Sequence, residues 1–129
     1  MHAKLSVLLT AALLVICVPV NAHHSFAAVF DVDTSVDVSG TVTKVEWMNP
    51  HAWIYIDVDN DDGGSNNWAF ELGSPNGMMR RGWTRKTVQV GDTINVAGYR
   101  ARDGSNRGNV KSIVLADGTE LTGMSSRDK

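Results

Sequence analysis

The chain has 129 residues, 43% of them hydrophobic and 20% charged, with a formal net charge of −2 and one cysteine. This is the length of a single small domain. The slightly acidic balance argues against a nucleic-acid binder, which carries a basic face, and one cysteine cannot build a disulfide framework.

The first 22 residues have the layout of a cleaved export signal. His2 and Lys4 supply a short positive region, and residues 5–18 form an apolar run interrupted only by Ser6 and Thr10. Pro19 ends the run, and Val20 and Ala22 place small residues at the −3 and −1 positions of a cleavage site. The run is too short for a comfortable membrane span, so no span is expected after cleavage. Cys17 follows Ile16, where a lipoprotein would carry a small residue. Removing the first 22 of 129 residues leaves 107. Lys4 goes with them, so 11 of the 12 basic residues remain against all 14 acidic ones. The expected organisation is a signal at 1–22, one domain at 23–124 and a flexible tail at 125–129. The expected location is periplasmic or secreted.

From Val36 onward the pattern is β. Val36, Val38, Val42 and Val45 alternate with polar residues as a first strand, and the alternation slips around Gly40, which suggests a bulge or bend. Pro50 breaks the pattern. Residues 51–58 read as a second strand, Asn60-Asp61-Asp62-Gly63-Gly64 as a hairpin, and residues 67–72 as a third strand. Ser74 caps and Pro75 opens a short helix through Arg81, ended by Gly82. Residues 93–101 and 109–116 are the fourth and fifth strands, and Glu120-Leu121 is a brief pairing segment. Five strands with one short helix between the third and fourth is the element order of an OB-fold, a small partly open barrel. Val42, Ile54, Ile56, Val96 and Val110 are the expected core.

The histidines are the chemically informative residues. Cleavage after Ala22 would make His23 the first residue, followed by His24, and the remaining chain has one other histidine, His51. A terminal amine has an ordinary pKa of about 7.7–8.0 and gives up its proton to a metal at modest cost. Amine plus imidazoles is a nitrogen-rich set suited to Cu(II), with zinc or nickel as other candidates. This arrangement resembles the histidine brace of secreted copper proteins. His51 sits in Trp47-Met48-Asn49-Pro50-His51, at the corner between the first two strands. Asn49 or Glu46 could orient an imidazole, Met48 offers a thioether for Cu(I), and Trp47 could cover the ion with its ring.

Other constellations are weaker. Asp57, Asp59, Asp61 and Asp62 lack EF-hand spacing and suit a polar hairpin. Glu71, in the third strand, could pair with Arg80 or Arg81. Trp53, Trp68, Trp83 and Tyr99 could form a stacking platform, although they also suit barrel core and rim. Ser25 beside His24 has no visible oxyanion hole, so no triad is assigned.

His23-His24-Ser25-Phe26, Gly40-Thr41-Val42, Trp47-Met48-Asn49-Pro50-His51, residues 67–75, Arg81-Gly82-Trp83-Thr84 and Gly98-Tyr99-Arg100-Ala101 together resemble a bacterial secreted family of unknown function, numbered 6152. The resemblance implies an exported small β domain and supplies no mechanism. More distantly, small periplasmic copper chaperones of the Cus efflux system are similar in being OB-folds that use His, Met and Trp. Trp47, Met48 and His51 repeat those residue types without that spacing. The expected function is copper binding, transfer or sequestration at His23, His24 and His51, without catalysis, and with a second periplasmic protein as a possible partner. The alternatives are a binding module for an oligosaccharide or protein, and a copper-dependent oxidoreductase.

Overall fold

The structure is a computed structural model that describes residues 22–123, with side chains from Phe26 onward. Residues 1–21 and 124–129 lie outside the described residues, and with them all but Ala22 of the expected signal at 1–22 and the whole of the expected tail at 125–129. A helix α1 (Ala22–Val29) is followed by strands β1 (Phe30–Glu46), β2 (Trp53–Asp59) and β3 (Ser65–Glu71). A short helix α2 (Pro75–Met79) then precedes β4 (Thr93–Ala101), β5 (Arg107–Val114) and β6 (Glu120–Thr122). Among the described residues no helix is long and apolar enough to cross a membrane.

The chain is all-β in class. Its six described strands form one sheet in the order β3-β2-β1-β4-β5-β6, and β3 also pairs with β5. Five strands therefore form a closed circuit of hydrogen-bonded neighbours, β3-β2-β1-β4-β5-β3. All pairings are antiparallel except β3 with β5, which is parallel over Ala69, Phe70 and Glu71. The helix between the third and fourth strands is present as expected. Ser74 caps it by accepting from the Gly77 amide at 3.3 Å, with Pro75 in the first turn. It ends at Met79 and not Arg81, and Gly82 turns the chain at φ 93°.

β1 is longer than its hydrophobic pattern suggests. Between Phe30 and Val36 every residue is at least partly exposed, so alternation is hidden there. An Asx turn marks this stretch: Asp31 accepts from the Asp33 amide at 3.1 Å and from the Thr34 hydroxyl at 2.9 Å. β1 pairs with β4 through its first two-thirds and with β2 through its last third, so it must bend. The register runs unbroken through Gly40. The irregularities fall between Asp31 and Ser35 and between Val42 and Lys44. Gly40 serves a different purpose from the expected bulge. A Cβ there would run into the backbone carbonyl of Asp57, so only glycine allows the strands to approach so closely.

Val42, Ile54, Ile56, Val96 and Val110 are all buried, as their alternation indicates. Phe70, Leu72, Met78 and Trp83 join them. Each such side chain contributes about 1.5–3 kcal/mol by leaving water. The Trp83 indole satisfies its N–H on the Thr122 carbonyl at 2.9 Å, which ties the segment after α2 to β6. A second, smaller cluster joins Phe26 of α1 to Phe30, Ala101 and Tyr99.

Candidate metal centre

His51 lies just before β2, after a cis Asn49–Pro50 peptide bond. Its ring nitrogen Nδ1 is 2.7 Å from Glu71 Oε1, at the end of β3. The strand ladder brings the two together. Trp53 is the partner of Glu71, and Ala52 and Leu72 are linked by a 2.9 Å backbone bond, so His51 stands diagonal to Glu71. Residues diagonal across a strand pair are within reach for long side chains.

The imidazole is about one-third exposed, while Glu71 is 13% exposed. Burial pushes the Glu71 carboxyl above its ordinary pKa, and the opposing pull of His51 and Arg107 only partly offsets this. The Arg107 guanidinium itself lies 5.3 Å from the Trp53 ring centre. Glu71 thus pairs with His51 and not with Arg80 or Arg81 as the sequence suggested. Arg80 instead donates to the Asn76 carbonyl at 3.3 Å.

The sequence-derived neighbours of His51 have other tasks. Glu46 is engaged by Lys44 and by the Tyr55 hydroxyl at 3.0 Å. It therefore does not orient the imidazole. Met48 is 51% exposed, and Asn49 is also exposed. Trp47 packs on the main core and lines a narrow apolar cavity with Val45, Ala52, Leu72 and Trp83. The orienting group is Glu71, twenty positions away in sequence.

Three further residues continue the row, of which Asn109 is buried. The register partners are Trp53 with Glu71, Glu71 with Asn109, and Asn109 with Tyr99. Partners in a ladder point to one face. Here it is the face opposite Ile54, Phe70 and Val110, which are fully buried inside. From Glu71 to Tyr99 is two interstrand steps of about 4.8 Å each. The Phe26 ring of α1 meets Tyr99 edge-on with centroids 6.0 Å apart. Arg102 secures the other end of α1. Its backbone amide donates to the Val29 carbonyl at 2.9 Å and its side chain to the Ala27 carbonyl at 2.6 Å. A cation at a helix C-terminus also complements the helix dipole.

His23 and His24 fall in the first turn of α1, and their side chains lie outside the described residues. Among the described residues no group of three His, Cys, Asp or Glu could hold a metal. They supply one imidazole, His51, with a carboxylate behind it. The tryptophans and tyrosines do not form one bare platform. Trp68 and Trp83 are buried, and cations lie over Trp53, Trp68 and Tyr55. The aspartates of the β2–β3 hairpin are used locally: Asp62 accepts from the Gly64 amide at 2.9 Å and Asp57 from Asn67 at 2.7 Å.

The model of a family of unknown function, DUF6152, matches residues 11–111, and the chain belongs to that family. No curated protein matches it.

Proposed function

We propose that this member of DUF6152 is an exported protein that binds one copper ion through His51 and the histidines of a mature N-terminus, His23 and His24. The role is binding, transfer or sequestration. One observation carries the reading: His51 is held through Nδ1 by Glu71 at 2.7 Å. An imidazole that donates its Nδ1–H to a carboxylate keeps Nε2 as a lone-pair donor, the usual arrangement of a metal-ligating histidine. The seating of Phe26 on Tyr99 supports the reading, because it ties α1 to the face that carries Glu71. Amine and imidazole nitrogens suit Cu(II) best, with zinc and nickel as competitors.

The scaffold of this proposal is an OB-type barrel. The closed circuit of five strands, the parallel β3–β5 contact and the helix between β3 and β4 all favour it. A stacking module for sugars or bases is the weaker reading, since Trp68 and Trp83 are buried and lysine or arginine already lies over the Tyr55 and Trp53 rings.

Titration of protein that starts at His23 with Cu(II), Zn(II) and Ni(II) tests the proposal. One Cu(II) should bind most tightly. His51→Ala should weaken it at least tenfold, while Lys111→Ala, on an exposed position of β5, should leave it unchanged. Equal binding by wild type and His51→Ala would remove the site.

A further inference from the structure

The crossover from α2 to β4 concentrates positive charge in a chain that is acidic overall. Arg80, Arg81, Arg85 and Lys86 fall within seven residues, and no Asp or Glu occurs between Glu71 and Asp92. All four cations are exposed. Elsewhere most cations are engaged: Lys44 pairs with Glu46, Arg102 with Asp31, and Arg100 and Arg107 lie over Trp68 and Trp53. Among the described residues no carboxylate lies within ion-pair distance of any of the four. The next acid along the chain, Asp92, instead accepts from the Gln89 amide at 2.8 Å.

The four cations stand on ordered backbone. The Arg81 and Trp83 amides both donate to the Met78 carbonyl, at 2.9 and 3.1 Å. The Trp83 ring is buried, with its N–H on the Thr122 carbonyl. Beyond it, the Thr84 amide donates to the Thr87 hydroxyl at 2.8 Å and the Lys86 amide to the Thr84 hydroxyl at 3.1 Å. Two turns, one on each side of a buried anchor, keep the charges close together, so little ordering remains to be done on binding. Apolar side chains are exposed beside them. Met79 is 49% exposed and shares a shallow surface with Asn76 and Arg80. Trp47 and Arg85 line one narrow cavity, and Met48, next to Trp47, is 51% exposed. The far end of β2 and β3 has the opposite charge, with Asp59, Asp61 and Asp62 exposed around the hairpin. The seven residues of β2 separate the two ends by roughly 20 Å.

We propose that the α2–β4 crossover is a docking site for the surface of a bilayer that contains anionic phospholipids. Arg80, Arg81, Arg85 and Lys86 meet the lipid phosphates, and Met79 and Met48 enter the headgroup boundary. Guanidinium groups bind phosphate through paired N–H donors, and clustered Lys and Arg beside apolar side chains is the composition of an interfacial contact. An acidic protein fits less well. Protein interfaces are anchored by aromatic side chains in complementary pockets, and the aromatic residue of this segment, Trp83, is buried. The hairpin aspartates are repelled by the same lipid surface, so the molecule adsorbs with α2 toward the bilayer and the hairpin toward solvent. This proposal is independent of the metal reading and uses neither His51 nor the N-terminus.

The test is co-sedimentation of protein that starts at His23, which lacks the apolar run at 5–18. The probes are vesicles of equal parts phosphatidylglycerol and phosphatidylcholine, and vesicles of phosphatidylcholine alone. The protein should bind the first and not the second, and salt should release it. Arg81→Gln, Arg85→Gln and Lys86→Gln should each weaken binding about fivefold, and the triple variant by on the order of a hundredfold. Lys111→Gln makes the same charge change on β5 and should leave binding nearly unchanged. Met79→Ser keeps the charge and should still weaken it. All these side chains are exposed, and circular dichroism checks that the sheet persists. Equal binding by wild type and the triple variant, or a loss in Lys111→Gln as large as in Arg85→Gln, would overturn the proposal. So would binding to polyglutamate without binding to vesicles, which would assign the patch to an acidic protein.

Discussion

Glu71 constrains His51 and is itself disfavoured as an anion by burial. Its folded pKa lies above its unfolded value, so between the two the folded chain holds the extra proton. Stability therefore falls as pH rises from the ordinary carboxylate pKa toward the raised one. Glu71→Gln should abolish this decline, which urea midpoints measured across pH would reveal. The same variant should weaken copper binding by about 10–100-fold, the usual loss when a carboxylate behind a ligating histidine is removed. A variant with wild-type affinity and an unchanged pH profile would detach Glu71 from both roles. The sequence made His51 visible as a candidate, since few histidines remain to consider. It left Glu71 assigned to Arg80 or Arg81 because side-chain pairing depends on register. A signal was available in the hairpin. Asp59 pairs with Ser65 around the turn, and counting outward from there places Glu71 opposite Trp53 and beside His51. Asn109 had no such signal, because its place next to Glu71 comes from a parallel pairing between strands distant in sequence.

At the scale of elements, the strands with clear alternation were legible and the ones with polar stretches were not. β2, β3 and β4 follow their period-two patterns, and Ser74-Pro75 marks the start of α2 through capping chemistry. The first part of β1 is legible only in the structure, because its residues from Asp31 to Ser35 are solvated and only the ends of that stretch, Asp31 with Arg100 and Ser35 with Tyr99, pair with β4 around an irregularity. α1 is held by a few identifiable contacts: Phe26 against Phe30 and Tyr99, and Arg102 on the last carbonyls. Phe26→Ala should therefore release α1 without unfolding the sheet. Hydrogen exchange should accelerate in residues 22–29, while β1, β4 and β5 keep their protection. Copper affinity should fall with it. Loss of protection throughout the sheet would mean that α1 is part of the global folding unit and not a locally docked segment.

At the scale of the whole molecule, the proposed function requires two separate segments of one chain to act together: the corner before β2 and the terminus that the expected cleavage would create. Ala22 marks both the expected cleavage point and the first residue of α1. The most direct test is copper electron paramagnetic resonance on two proteins, one starting at His23 and one with a single glycine before it. The extension keeps every side chain and displaces only the free amine. Protein starting at His23 is expected to give one Cu(II) in a nitrogen-rich tetragonal environment. The extended protein should bind more weakly, with altered spectral parameters. Identical spectra and affinities for the two proteins would contradict the account.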